Sequence, residues 1–413
     1  MEHHVLEGPC LLTGASEWAR PDPDGPGLTR RPGSLFVEGG FIQAWDEEAE
    51  RAAGATNAPR HDLGGRAVLP ALIDAHTHIV FGGDRTEDFA RRARGMTYAE
   101  IAAAGGGIHT TVRATRATSS LELEDRTRRH LLRRYAAGVL TTEIKSGYGL
   151  DVATELRMLE VVAKLAAEGW DLEATLLAAH AVPTDQPRER WLRAITEELI
   201  PEVAQRNLAR CVDVFVEEGA YTAEEARTVA REAQAHGLGV RLHVDQITPG
   251  RGAELAAEVG AHSADHLERI SLGGPTALAK AQVAAGLLPG AMLHLGDAAP
   301  GLGRRLIEAG VEVFVATDAN PGSSPTHNLA LAATLAVTQL GLSAEEALRA
   351  VTLGAARALR RDDIGHLEVA GRARFVVLEA TDARSWVAAF GEPTVAEVWT
   401  MSEDPVSRCR ELA

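Results

Sequence analysis

Between about Arg66 and Arg361 the chain alternates short β-branched runs with helical stretches, a pattern that specifies parallel strands joined by crossover helices. Eight strand candidates follow in order: Val68 to His78, Val139 to Ile144, Glu173 to Ala179, Cys211 to Val216, Gly239 to Val244, His262 to Asp265, Val283 to Leu288, and Val311 to Thr317. Capping boxes at Thr97/Glu100, Ser119/Glu122, Thr222/Glu225 and Ser343/Glu346 start helices, and Gly138, Gly169 and Gly237 stand where helices should stop. Eight β/α units predict a closed (β/α)8 TIM-type barrel of the α/β class over residues 66–361. An open doubly wound sheet is the alternative, but no glycine-rich dinucleotide fingerprint follows the first strand.

Outside the alternating region the pattern changes. Pro21 to Pro32 is dense in Pro, Gly and Asp, and Ser34 to Trp45 places two apolar runs around Gly39 and Gly40, which reads as a hairpin. Gly365 to Glu379 again looks like short strands. Residues 1–65 and 362–413 are therefore expected to pair into one small β-sandwich-like domain.

Charge and cysteine content narrow the function. Lys and Arg number 42 against 58 Asp and Glu, a net charge of -16, which repels nucleic acid and anionic membrane surfaces. Neither is expected as a partner. The three cysteines, Cys10, Cys211 and Cys409, are too scattered for a disulfide framework or a zinc cluster. With no signal peptide at the start and no apolar run of about 18 residues, a cytoplasmic protein is expected.

Chemistry is concentrated at strand ends. In Leu72-Ile73-Asp74-Ala75-His76-Thr77-His78 the two histidines are two apart, so strand alternation turns both imidazoles to one face. Alone, the pair fits a metal site or two satisfied core histidines equally well. The other strands decide: His180 ends the third, His243 the fifth, His266 the sixth and Asp318 the eighth, while Lys145 and Tyr148 follow the second. A barrel builds its active site from those ends, and unpaired burial of so many polar groups would cost several kcal/mol each. His76, His78, His243 and Asp318 are the expected ligands of one divalent metal. Three histidines and a carboxylate suit zinc or iron. Such a metal activates water near neutral pH, which makes hydrolysis the expected reaction, with Asp318 taking the water's proton and His266 orienting it or steadying an oxyanion.

The ordered set resembles the amidohydrolase superfamily. Within it, His78-Ile79-Val80-Phe81-Gly82-Gly83-Asp84-Arg85, Ala104 to Ile108, Lys145-Ser146-Gly147-Tyr148-Gly149-Leu150, Ala179-His180-Ala181-Val182-Pro183 and Thr317-Asp318-Ala319-Asn320-Pro321-Gly322-Ser323 are similar to the imidazolonepropionase family. That resemblance implies opening of the lactam ring of 4-imidazolone-5-propanoate, a small-molecule substrate, to N-formimidoyl-L-glutamate in histidine breakdown. It also implies that Arg85, Tyr148 and His180 bind the propanoate and that Asn320, Gly322 and Ser323 contact the ring and product. By the same analogy a homodimer is expected. Related deaminases carry a proton-shuttling Glu three residues after the fifth-strand histidine; Gln246 stands there and is expected to hydrogen-bond the substrate ring. Glu217 and Glu218 follow the fourth strand, where two-metal relatives keep a bridging residue, so a second metal or a hydrogen-bonding role is open at that point. Gly371-Arg372-Ala373-Arg374 also departs from the family by placing a basic residue where an acidic one is usual.

Overall fold

The computed structural model describes residues 1–6, 8–97, 100–101 and 104–400; Cys409 and the last part of the expected terminal β-region lie outside them. Eight parallel strands follow chain order: β1 (Leu72–Asp74), β2 (Val139–Lys145), β3 (Asp171–Ala179), β4 (Cys211–Val216), β5 (Gly239–Val244), β6 (Ser263–His266), β7 (Ala284–Leu287) and β8 (Val313–Val315). Each pairs with the next, and helices cover the outside with their apolar faces, as Val152–Ala167 and Ala223–Ala235 do. Thr222/Glu225 and Ser343/Glu346 form full capping boxes. Gly138, Gly169 and Gly237 have φ of 83°, 105° and 75°, the left-handed turn that ends a helix without a Cβ penalty.

The ring closes just beyond the ends of β1 and β8. Asp318 N–H donates to His76 O at 3.1 Å, and His78 N–H donates to Ala319 O at 2.9 Å. The buried Asp74 carboxylate reinforces this seam: it accepts from Thr317 N–H at 3.0 Å, from Thr317 Oγ1 at 2.6 Å and from Arg134 at 3.0 Å. The barrel expected from the alternation is thus formed.

The stretch Val68 to His78, expected as one strand, is two. Ala67–Pro70 pairs antiparallel with Phe375–Leu378 in the terminal sheet, and only Leu72–Asp74 belongs to the barrel. Pro70 has no N–H to extend a ladder, yet the apolar run continues through it, which hides the change of sheet in the sequence. His76 and His78 therefore sit on the irregular continuation of β1.

The terminal segments form one mixed sheet in the order Glu2–Val5, Val395–Thr400, Phe375–Leu378, Ala67–Pro70, Cys10–Pro21, Leu28–Glu38, Phe41–Trp45, with Arg60–Asp62 also on Cys10–Pro21. Its own core includes Trp18, Val37, Ile42, Phe375 and Trp399. Arg374 ties the sheet to the foot of the barrel, donating to Leu140 O at 2.9 Å and pairing with Asp171. The basic residue of the departed motif thus meets a carboxylate far from the strand ends that carry His76 and Asp318.

Candidate active site

Four donor atoms converge where β1, β5 and β8 end. His76 Nε2 and His78 Nε2 are 3.2 Å apart, His243 Nε2 is 3.5 Å from His78 Nε2, and Asp318 Oδ1 is 3.2 Å and 3.6 Å from the nitrogens of His78 and His76. The other nitrogens fix the tautomers. His76 Nδ1 donates to Asp265 at 2.7 Å and His243 Nδ1 donates to Asp213 at 3.0 Å, so both Nε2 atoms present bare lone pairs. Acceptors this close are spaced to share one cation. Burial, aided by Lys145, keeps the His76 pKa well below its usual value, and burial also lowers that of His243, which favours the neutral form of both rings.

Beneath the cluster is a buried charged layer. Lys145 Nζ is 2.9 Å from both Glu143 and Asp213 and 3.9 Å from Asp265, while Arg241 is 3.5 Å from Glu143. Burial opposes the Asp213 charge, but His243 and Lys145 outweigh it and hold the carboxyl far below its usual range. Glu143, Asp213 and Asp265 thus face two buried cations, and with buried Asp318 above them two formal negative charges are left, which one divalent ion would neutralise.

His266 stands outside the convergent set, its ring 5.4 Å from that of His243 and 6.0 Å from that of His76. Its Nδ1 is 3.4 Å from Glu268, which overcomes the effect of burial and raises the pKa, favouring a cationic, donating ring. Asp245, His266 and Asp318 all have positive φ (52°, 82° and 51°), a costly backbone for side-chain-bearing residues that here gathers at one rim. Half-buried Gln246 lies in a loop clamped from two sides. Asp245 accepts from Gly250, Gly252 and Ala253 N–H at 3.0, 2.8 and 3.0 Å, and Glu217 accepts from Ile247 N–H at 2.8 Å and Thr248 N–H at 3.1 Å. Glu217 is thereby engaged as a hydrogen-bond acceptor, and no metal-binding group among the described residues includes it or Glu218.

Arg85, Asn320 and Gly322 line one cavity of about 610 Å³, together with Phe81, Arg126 and His130. Arg85 is braced by Asp88, whose Oδ2 also accepts from Gly107 N–H at 2.9 Å. A Cβ at Gly322 would come within 3.3 Å of the Arg85 guanidinium, so glycine keeps that approach open. Asn320 Oδ1 is spent on its own turn, accepting from Gly322 N–H at 2.8 Å and Ser323 N–H at 2.7 Å, and Ser323 Oγ is 3.4 Å from Asp318. Tyr148 and His180 do not line this cavity. They stand beside His78, with His180 stacked on it at 5.2 Å and Tyr148 at 5.4 Å from His180.

Several contributors escape the expected set: Asp265, Asp213 and Glu143 below the histidines, Glu268 behind His266, and Glu155; Lys145, noted after the second strand without a role, belongs to the same buried layer. The buried Glu155 carboxylate accepts from Gly147, Gly149 and Leu150 N–H at 2.9, 2.7 and 2.9 Å, shaping the turn that carries Tyr148. Gly147 O in turn receives His180 Nδ1–H at 3.1 Å. A period-two reading of β2 and β4 would have put Glu143, Lys145 and Asp213 inside the barrel.

Residues 67–403 match the amidohydrolase family model. The imidazolonepropionase of Deinococcus radiodurans is 47% identical over 398 residues, covering 94% of this chain and 98% of that relative. The chain belongs to the imidazolonepropionases, within the amidohydrolase family. A second imidazolonepropionase, from an Anaeromyxobacter species, is 46% identical over 81% of this chain and 82% of its own length. Among solved structures, 5-methylcytosine deaminase from Klebsiella pneumoniae superposes with a TM-score of 0.72 at 18% identity, covering 95% of this chain and 98% of that one. A zinc-containing adenosine deaminase from Xanthomonas campestris gives 0.68 at 17%, covering 99% and 98%. These two share the fold. The nitrogens of His76, His78 and His243 lie close enough together to hold one divalent metal, with Asp318 beside two of them.

Proposed function

We propose that the chain hydrolyses the lactam C–N bond of 4-imidazolone-5-propanoate to N-formimidoyl-L-glutamate, the ring-opening step of histidine degradation, at one Zn2+ or iron ion held by His76, His78, His243 and Asp318. The observation that carries it is the convergence of three imidazole nitrogens and Asp318 at a barrel mouth beside a cavity walled by Arg85. The zinc in the Xanthomonas relative supports zinc first. When bound, the ion makes water nucleophilic near neutral pH and polarises the ring carbonyl.

The side chains do the rest. Arg85 pairs with the propanoate, a charge-assisted contact suited to its planar fork. Tyr148 and His180 complete the carboxylate's surroundings, Gln246 hydrogen-bonds the ring, and Asn320 shapes the turn that brings Gly322 and Ser323 to it. Asp318 accepts the proton of the attacking water and passes it to the departing ring nitrogen. His266, whose pKa Glu268 raises against the effect of burial, donates to the oxygen that gains charge as the carbonyl carbon becomes tetrahedral. No helix among the described residues is long and apolar enough to cross a membrane. A cytoplasmic homodimer is the form in which we expect it to work.

The test is to mix metal-loaded protein with freshly generated imidazolonepropionate and follow its ultraviolet absorbance. Loss well above the spontaneous rate, with N-formimidoyl-L-glutamate as product, is expected; loss at the spontaneous rate with metal bound overturns the reading.

A further inference from the structure

A second set of metal-ligating side chains lies in the terminal sheet, apart from the barrel mouth. Strand Glu2–Val5 runs parallel to Val395–Thr400 with Glu2 opposite Glu397 and His4 opposite Trp399. Strand alternation sends His3 and His4 to opposite faces. His3 stacks on Tyr135, while His4 stacks on Trp399 at 4.1 Å, above the same face as Glu397. Strand Arg60–Asp62 brings His61 to that face from a third segment, its ring 4.7 Å from Trp399.

The donor atoms are already near the spacing a small cation imposes. His4 Nε2 is 3.5 Å and His61 Nε2 is 3.8 Å from the same Glu397 Oε2, and His4 Nε2 is 3.6 Å from Glu2. Bonds of ~2.0–2.1 Å in a tetrahedron would separate ligand atoms by roughly 3.3–3.4 Å, close to the two spacings on Glu397, and the ligand atoms of His4, His61 and Glu397 all lie within 4.8 Å of one another. His4 Nε2 is buried and has no hydrogen-bond partner. Glu397 has the supporting contacts a ligating carboxylate needs: Trp399 Nε1 donates to Oε2 at 2.8 Å, and Arg66 pairs with Oε1.

We infer that His4, His61 and Glu397, with Glu2 as an outer fourth ligand, form a structural site for a divalent transition ion such as Zn2+, pinning both ends of the chain to the strand Arg60–Asp62. An aromatic stack reinforced by ion pairs is the competing account of the same contacts, and it predicts no ion. The site lies outside the reaction machinery, so it stands or falls independently of the proposed activity.

The experiment is equilibrium titration of the metal-loaded protein with Zn2+ against a competing chromophoric chelator, with total metal counted after gel filtration. Wild type should hold two equivalents, and His61→Ala and His4→Ala one each, with turnover unchanged because the barrel ion remains. Added Zn2+ should raise the Tm of wild type by at least about 2 °C and leave that of His61→Ala unmoved. His61→Gln, which keeps bulk and polarity, guards against a packing effect and should also hold one equivalent. Variants that hold as much metal as wild type overturn the inference, whatever the barrel retains.

Discussion

Asp265 Oδ2 lies 2.7 Å from Nδ1 of His76, with both side chains wholly buried. The carboxylate fixes which nitrogen carries the proton and so which one can face a cation. Asp265→Asn should therefore lower affinity for the barrel ion by about 10–100-fold, the usual cost of removing such a partner. Metal competition measures it, and unchanged affinity would show that the seam alone orients His76.

Arg85 borders the cavity and is not one of the convergent donors. Arg85→Met should raise KM on the order of 10–100-fold, matching loss of a charge-assisted contact of ~1.5–3 kcal/mol, with metal content and kcat nearly intact. A kcat defect with normal KM would mean that the arginine acts on the reacting carbonyl.

Glu155 touches no expected substrate position, yet three backbone donors of the Gly147–Leu150 turn point at it. Glu155→Gln replaces one acceptor oxygen by an amide donor facing Gly147 N–H or its neighbours, a mismatch of ~1–3 kcal/mol. We expect KM to rise several-fold through displaced Tyr148 and His180, with the metal retained. Loss of metal instead would mean that the turn also supports His78.

The pH dependence of stability should report the joint between the two sheets. Burial opposes the charge of Asp171, but Arg374 and Arg361 outweigh it and hold its pKa at about 2, against 3.8 for a free carboxyl. A depressed carboxyl stabilises the fold above the unfolded value, and that contribution disappears as pH falls from about 4 to 2. It amounts to roughly 1–2 kcal/mol. Asp171→Asn should lower Tm at pH 7 and flatten its decline through this window; parallel melting curves for the two proteins would refute the assignment.

The sequence carries the barrel and its four convergent residues plainly, because strand-end histidines interrupt apolar runs at regular intervals. It does not disclose where β1 starts, since Ala67 to Ile73 is apolar across two different sheets. Nor does it rank Asp213 or Asp265: strand alternation can turn a carboxylate inward, but it does not tell which histidine or lysine that carboxylate will meet. Asn320 shows the opposite limit. Its motif was recognisable, but only the folded turn reveals that its carbonyl oxygen is occupied by Gly322 and Ser323 N–H.

The seam joining Asp74 to Thr317 spans 243 residues. During synthesis at ~5–20 residues per second, His76 and His78 emerge roughly ten to fifty seconds before Asp318 exists. Throughout that interval the nascent chain has an incomplete set of donors, and the last of them arrives with the residues that shut the ring. Metal capture is thus tied to completion of the barrel, and a ribosome-stalled or truncated product would be left without the means to retain the ion.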